Sequence, residues 1–280
     1  MDSSPIYTLN LWDSNFAGQM CSVANQVPKW VRYVRNKTQW DGVTLFTDGN
    51  IRQELLDRVS SRYRIGWLHE AYELHPENYN CALHLRHLFD MILTYDSVLL
   101  TIDPRLYRFM IRGGTWITPN HWGLHPKGRH LSLILSEKRQ LEGHQLRHTL
   151  AEKFFTRLDL YGALGVPIKT DKALGLADYH FSVVVEAVRA DNWFTESLLD
   201  CIALGTVPVY WGCPNVGEFF EERGILSFKT EKELAQLLPT LTEKKYESLL
   251  PYLSENLKRL EAYAVPEDWM VRYPLKELLA

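Results

Sequence analysis

Residues Asp191–Gly212 read DNWFTESLLDCIALGTVPVYWG. A polar, turn-prone start gives way to an apolar stripe at helical spacing, Leu198, Leu199 and Ile202, and past Gly205 to the β-branched and aromatic run VPVYWG. Thr195 stands where an N-cap belongs, and Gly205 stands where a left-handed residue stops a helix. The stretch therefore predicts a helix opening near Thr195, with a strand after it. Upstream, YHFSVVVEA has the composition of a buried strand. Strand, helix and strand in that order make a βαβ unit, whose strands lie parallel in one sheet.

The same alternation runs through the chain. IYTLNLW, GVTLFTD, YRIGWLHE and MILTYD predict strands in the first half, and YNCALHLRHLFD carries its apolar residues at helical spacing. GGTWITPNHWGLHPKGR, residues 113–129, is rich in breakers and without periodicity, as an interdomain connection is. Beyond it LSLILS, LDLYG and ILSFKT predict strands, GHQLRHTLAEKFF and EKELAQLLPTL predict helices, and TEKKYESLLPYLSENLKRLEAYA predicts one or two helices with a break or kink at Pro251. The expected fold class is α/β, in two Rossmann-like doubly wound domains facing across a cleft: residues 1–118, a linker at 119–129, and residues 130–280 including the C-terminal helices.

Composition narrows the function classes. The 280 residues carry a net charge of −3, so the chain as a whole has no attraction for nucleic acid or an anionic membrane. The four cysteines lack CxxC spacing and predict buried thiols in a reducing compartment. MDSSPIYTLNLW has no basic segment followed by an apolar one, which predicts a soluble, cytoplasmic protein without a membrane anchor. The sequon at Asn36 is a lone match without a secretory signal. The histidine pairs at 84/87 and 144/148 lack a third ligand, and no two aspartates stand two positions apart; no metal site or metal dependence is expected. GxxxxGK[ST] and GxGxxG are both missing, which removes support for triphosphate hydrolysis and dinucleotide binding.

Glu196 falls in the first turn of the predicted helix, beside Trp193 and Phe194. A carboxylate there complements the helix dipole by about 0.3–1 kcal/mol. A helix N-terminus after a strand is also where a nucleotide diphosphate docks, with a carboxylate to accept hydrogen bonds from ribose hydroxyls.

FSVVVEAVRADNWFTESLLDCIALGTVPVYWG, residues 181–212, resembles the C-terminal signature of the family 10 fucosyltransferases, with a weaker continuation in SLILSEKRQLEGHQLRH and LDLYGALG. The resemblance implies a GT-B glycosyltransferase, with the donor on the C-terminal domain, the acceptor on the N-terminal one, and metal-independent inversion at the anomeric carbon. It places Glu196 as the ribose ligand and Trp193 at the preceding aromatic, with Phe194 and Thr195 beside them. Two positions depart: Ser197 replaces a phosphate-binding lysine, and Ala187 replaces the asparagine after the glutamate matched by Glu186. An ammonium stabilises a departing diphosphate far better than a hydroxyl, so the cation must come from elsewhere. Lys138, Arg147, Lys169 and Arg189 are the candidates; Lys138 and Arg147 are favoured, since Ser136, Glu137 and Lys138 end a strand and Arg147 lies early in the next helix, where His144 joins it.

Inverting transfer also needs a base for the acceptor hydroxyl. The first domain offers Glu70, then Asp13, Glu73 and His69, each at or after the end of a predicted strand. Trp116 and Trp122 are available to stack on a sugar, though such residues more often pack. Two donors stay open: UDP-xylose, slightly favoured by a fainter resemblance to an exostosin-like xylosyltransferase of large algal viruses, and GDP-fucose. The expected partners are that nucleotide sugar, with no other cofactor, and a glycan or glycoprotein acceptor. A non-catalytic sugar- or nucleotide-binding module is the rival class, and the serine at 197 is its best support.

Overall fold

The computed structural model describes residues 5–16, 19–168 and 171–279. Their contacts divide the chain into two compact units, Met1–Arg112 with Val265–Ala280, and Gly113–Ala264. In the first unit, β1 (Tyr7–Trp12), β2 (Val31–Arg35), β3 (Gln39–Thr47), β4 (Ser60–Trp67), β5 (Met91–Thr94) and β6 (Tyr107–Phe109) form a sheet of order β2-β1-β3-β4-β5-β6. Every pairing is parallel. Short helices, α1 (Gln53–Leu56), α2 (Pro76–His84) and α3 (Ser97–Ile102), lie in the crossovers. Leu9, Leu11, Val43, Leu45, Ile65, Trp67, Met91 and Leu93 carry the sheet's share of the core.

The second unit runs β7 (Arg129–Leu135), α4 (Glu142–Lys153), β8 (Asp159–Gly162), β9 (Tyr179–Val185), α5 (Glu196–Ala203), β10 (Val207–Trp211), β11 (Leu226–Ser227), α6 (Glu231–Leu237) and α7 (Glu243–Tyr263). Its sheet is again parallel, in the order β11-β10-β9-β7-β8. β10 is buried at every position and β9 at all but one, as expected of central strands covered on both faces. In each sheet the first strand lies between the second and the third, so the winding reverses at β1/β3 and at β7/β9. Loops at the carboxyl ends of those strands are the usual ligand sites of doubly wound sheets.

α7 passes through Pro251 as one helix, so the expected break is absent. Proline removes one helical hydrogen bond, but Leu249, Leu253 and Leu260 stay buried on the same face and anchor both halves to the core.

The units are not divided as the sequence suggested. Residues 119–129 belong to the second unit, where Gly123 N donates to Ala203 O (2.9 Å) and the Lys127 ammonium donates to Ala177 O (2.8 Å) and Leu204 O (2.7 Å). The final segment, with α8 (Pro266–Arg272) and α9 (Lys276–Leu279), packs on the first unit. Asp268 accepts from the main-chain N–H of Lys29 (2.9 Å) and Trp30 (3.2 Å), and Glu267 from that of Ser22 (2.6 Å). Met270, Val271 and Leu275 complete the core beneath them.

All four cysteines are free; Cys21, Cys201 and Cys213 are buried as expected, whereas Cys81, on the outer face of α2, is exposed. Among the described residues no helix is long and apolar enough to cross a membrane.

Candidate functional site

β9 ends at Val185, at the winding reversal of the second sheet, and the next residue is Glu186, which is fully buried. Its carboxylate accepts from Thr195 N (3.0 Å) and Thr195 Oγ1 (2.7 Å), and more distantly from the Tyr210 hydroxyl (3.4 Å). Burial pushes this carboxyl up to about 7, although the bonds from Thr195 favour its charged form. Thr195 in turn accepts from Ser197 N through its own hydroxyl (3.2 Å), the N-cap expected from the sequence. The start of α5 is thus fixed from behind by a buried acid, and the Ser197 N–H is engaged within the helix.

Before it, Asn192 adopts a left-handed backbone (φ 65°) and clasps Asn215: Asn192 N donates to Asn215 Oδ1 (2.8 Å), and Asn215 Nδ2 donates to Asn192 Oδ1 (3.0 Å). Trp193 and Phe194 are both buried. The Phe194 ring packs against Phe219, Phe220 and Tyr263, so it contributes to the core at this corner of the unit.

Glu196, at the first helical position, keeps a quarter of its side chain exposed. Its partner is one that sequence reasoning missed. Lys172, on the short 3-10 turn Lys172–Gly175, brings its ammonium to 3.2 Å from Glu196 Oε1 and 3.0 Å from Asp200 Oδ2. The same ammonium lies 4.2 Å from the Trp116 ring centroid, within cation–π range. Burial favours the neutral amine, but the charges of Asp200 and Glu196 prevail and raise its proton affinity. Asp200, fully buried one turn into α5, also accepts from Thr115 Oγ1 (2.7 Å) and Trp116 N (2.8 Å). Lys172 thus brings an ammonium to the first turn of α5, held between two carboxylates. The only sequence signal was negative: a lysine on a one-turn element carries no periodicity.

The other expected cations lie differently. Arg147 is half-buried and donates through Nη2 to Val185 O, and it faces the charges of Glu186 and Glu196, which offset the lowering of its proton affinity by burial. Lys138 is exposed in the loop after β7, Ser136 is half-buried at the end of that strand, and Arg189 is exposed. Lys169 lies outside the described residues. His144 Nδ1 accepts from Leu141 N (3.3 Å) at the start of α4, and burial together with Arg147 and Lys138 pushes it down to about 4, so the ring is neutral. Trp122 donates its indole N–H to Ile117 O (2.9 Å).

In the first unit, four loops meet at the carboxyl end of the sheet. Asp13 is enclosed: it pairs with Arg35 through Nη1 and accepts from Asn15 N and Phe16 N (2.8 Å each), with none of its side chain exposed. Glu73 is exposed in the turn before α2. Glu70, directly after His69, keeps a quarter of its side chain exposed, 3.5 Å from His69 Nδ1 and 4.0 Å from Arg112 Nη2. His69 is buried against Trp67 and Phe16, and its burial and Arg112 lower its proton affinity, which leaves it neutral near pH 7. Beneath them Asp48, with φ at 44°, accepts from His69 N (2.9 Å) and Glu70 N (3.1 Å) on Oδ1 and from Asn15 Nδ2 (2.7 Å) on Oδ2. Such a left-handed conformation lies about 1 kcal/mol or more above the right-handed one for a residue with a Cβ. Among the described residues no three His, Cys, Asp or Glu side chains are placed to hold a metal ion.

No family model and no curated protein matches the sequence. Solved structures do match the fold. An α1,3-fucosyltransferase is similar over 93% of this chain and 89% of its own, with a TM-score of 0.57 at 15% identity. A trehalose 6-phosphate synthase from Burkholderia multivorans is similar over 85% of this chain and 72% of its own, with a TM-score of 0.56 at 12% identity. TarM is similar over 83% of this chain, which spans about half of TarM (54%), with a TM-score of 0.56 at 10% identity. The chain has the two-sheet α/β fold of the GT-B glycosyltransferases.

Proposed function

We propose that this protein is a glycosyltransferase that takes its sugar from a nucleoside diphosphate sugar bound at the start of α5. One observation carries the proposal: Glu196, with a quarter of its side chain exposed on the first turn of a helix braced by Glu186 and Thr195, with the Lys172 ammonium 3.2 Å away, at the winding reversal of a doubly wound sheet. In this reading Glu196 accepts hydrogen bonds from the ribose hydroxyls, and Lys172 and the helix dipole favour the diphosphate's charge. The reaction is a displacement at the anomeric carbon. A bond forms to the acceptor oxygen, the bond to the diphosphate oxygen breaks with inversion, and the acceptor's proton passes to a base of the first unit. Glu70 suits that part better than Asp13 or His69. Asp13 is enclosed and paired with Arg35, and His69 is buried; Glu70 alone of the three keeps an exposed carboxylate between His69 and Arg112.

The donor is one of two, UDP-xylose or GDP-fucose. Calorimetric titration with UDP, GDP and the two sugars distinguishes them. We expect one base to bind, and Glu196→Gln to weaken it about 10- to 100-fold, the range for a charged hydrogen-bond acceptor. Absence of binding by all four ligands, or an unaltered affinity in Glu196→Gln, overturns the assignment. Binding without release of the nucleoside diphosphate identifies a non-catalytic module instead.

A further inference from the structure

We infer that Asp48 is a positioning residue for Glu70, holding the main chain from which that carboxylate projects; this rests on Glu70 as the base. One oxygen, Asp48 Oδ1, accepts two consecutive N–H groups, His69 N at 2.9 Å and Glu70 N at 3.1 Å. At the other end of the residue, Tyr79 donates its hydroxyl to Glu70 O at 2.8 Å. The Glu70 peptide is therefore fixed on both sides while its side chain stays partly exposed, the arrangement of a working group held by a rigid support.

The support is itself anchored. Asp48 follows β3 directly, is 4% exposed, and keeps its left-handed backbone. Its second oxygen accepts from Asn15 Nδ2 (2.7 Å), and Asn50 Nδ2 donates to Ser14 Oγ (3.2 Å) alongside. Loops from β1, β3 and β4, neighbours in the sheet, are joined at one buried carboxylate. A glycine at 48 adopts this backbone without strain, so the acid supplies something other than a turn. What it supplies is an acceptor for two N–H groups that have no strand to pair with, and hence a fixed direction for Glu70.

Substitution separates positioning from simple stability. Asp48→Gly keeps the backbone conformation and loses the acceptor; Asp48→Asn keeps an amide oxygen for both N–H groups, with the Asn15 amide turned to accept from the new side chain. Two readouts apply to both variants and to Glu70→Gln: exchange of the His69 and Glu70 amide protons by NMR, and release of nucleoside diphosphate from UDP-xylose and from GDP-fucose. We expect Asp48→Gly to expose both amides to exchange and to lower kcat about 100-fold at unchanged donor affinity, the size of effect a displacement near 1 Å produces. Asp48→Asn should restore protection and most of kcat. Protection or turnover unaltered in Asp48→Gly, or equal losses in the two variants, overturns the proposal. Inactive Glu70→Gln beside fully active Asp48→Gly overturns it alone, whereas active Glu70→Gln removes the base assignment and the proposal with it.

Discussion

The Thr195 hydroxyl donates to Glu186 at 2.7 Å while accepting from Ser197 N at 3.2 Å, so one side chain transmits the position of a buried carboxylate to the first turn of a helix. The protonation state of Glu186 is thereby coupled to the geometry of α5.

That coupling sets a pH dependence. Glu186 is raised from 4.5 to about 7 in the folded chain. Between those values the folded protein keeps a proton that the unfolded chain releases, so its contribution to stability is complete below pH 4.5 and declines as pH rises through 7. Glu267 shifts in the same sense to about 7 and adds to the trend. Glu186→Gln should flatten part of the slope of melting temperature against pH between 5 and 8, and Glu267→Gln a further part, with the buried Asp48, Asp200 and Asp268, raised in the same sense, left to contribute in both variants. Identical slopes in wild type and both variants would contradict the assignment.

Lys172 holds two acids together. Lys172→Met leaves Asp200 fully buried beside Glu196 with no ammonium between them, and removing one partner of a buried pair costs about 3–5 kcal/mol. Urea unfolding should show a loss of that order in the second unit, and calorimetry should show weakened nucleotide binding. Lys138→Ala, in an exposed loop, should leave stability within about 0.5 kcal/mol.

Gly143 tests the packing of α4 on the site. A Cβ there would lie 1.7 Å from Glu186 O and 2.8 Å from Ala187 O, both main-chain atoms that cannot swing aside. Gly143→Ala should therefore push the helix off β9 and lower the melting temperature by several degrees, and the displaced Arg147 should lose its bond to Val185 O. At Gly49, where the nearest atom is 3.8 Å away, the same change should be nearly silent.

Much of this fold could be read directly. The apolar C-terminal parts of β3 and β4, the apolar runs of β9 and β10 and the capped, periodic α5 declare themselves locally, because each satisfies its own period and its own ends. β2 escaped notice: VRYVR interleaves charge with apolar residues, as an edge strand tolerates, and the three-residue β6 is too short to show a period. Lys172 was illegible because its meaning lies 24 residues away at Glu196. Asp48 was illegible for a similar reason, since its carboxylate serves main-chain groups of β4's loop and nothing in TDGN says so. The return of α8 depends on Glu267 and Asp268 meeting N–H groups more than 230 positions earlier, a pairing with no local trace.

That return makes the second unit an insertion into the first. On a ribosome the six strands of the first sheet emerge early, yet the face that Met270, Val271 and Leu275 cover stays open until some 150 further residues, Gly113–Ala264, have been made. Vectorial synthesis normally completes the N-terminal unit first. Here the later unit is finished first, and the earlier one waits, with apolar surface bare, for its closing segment.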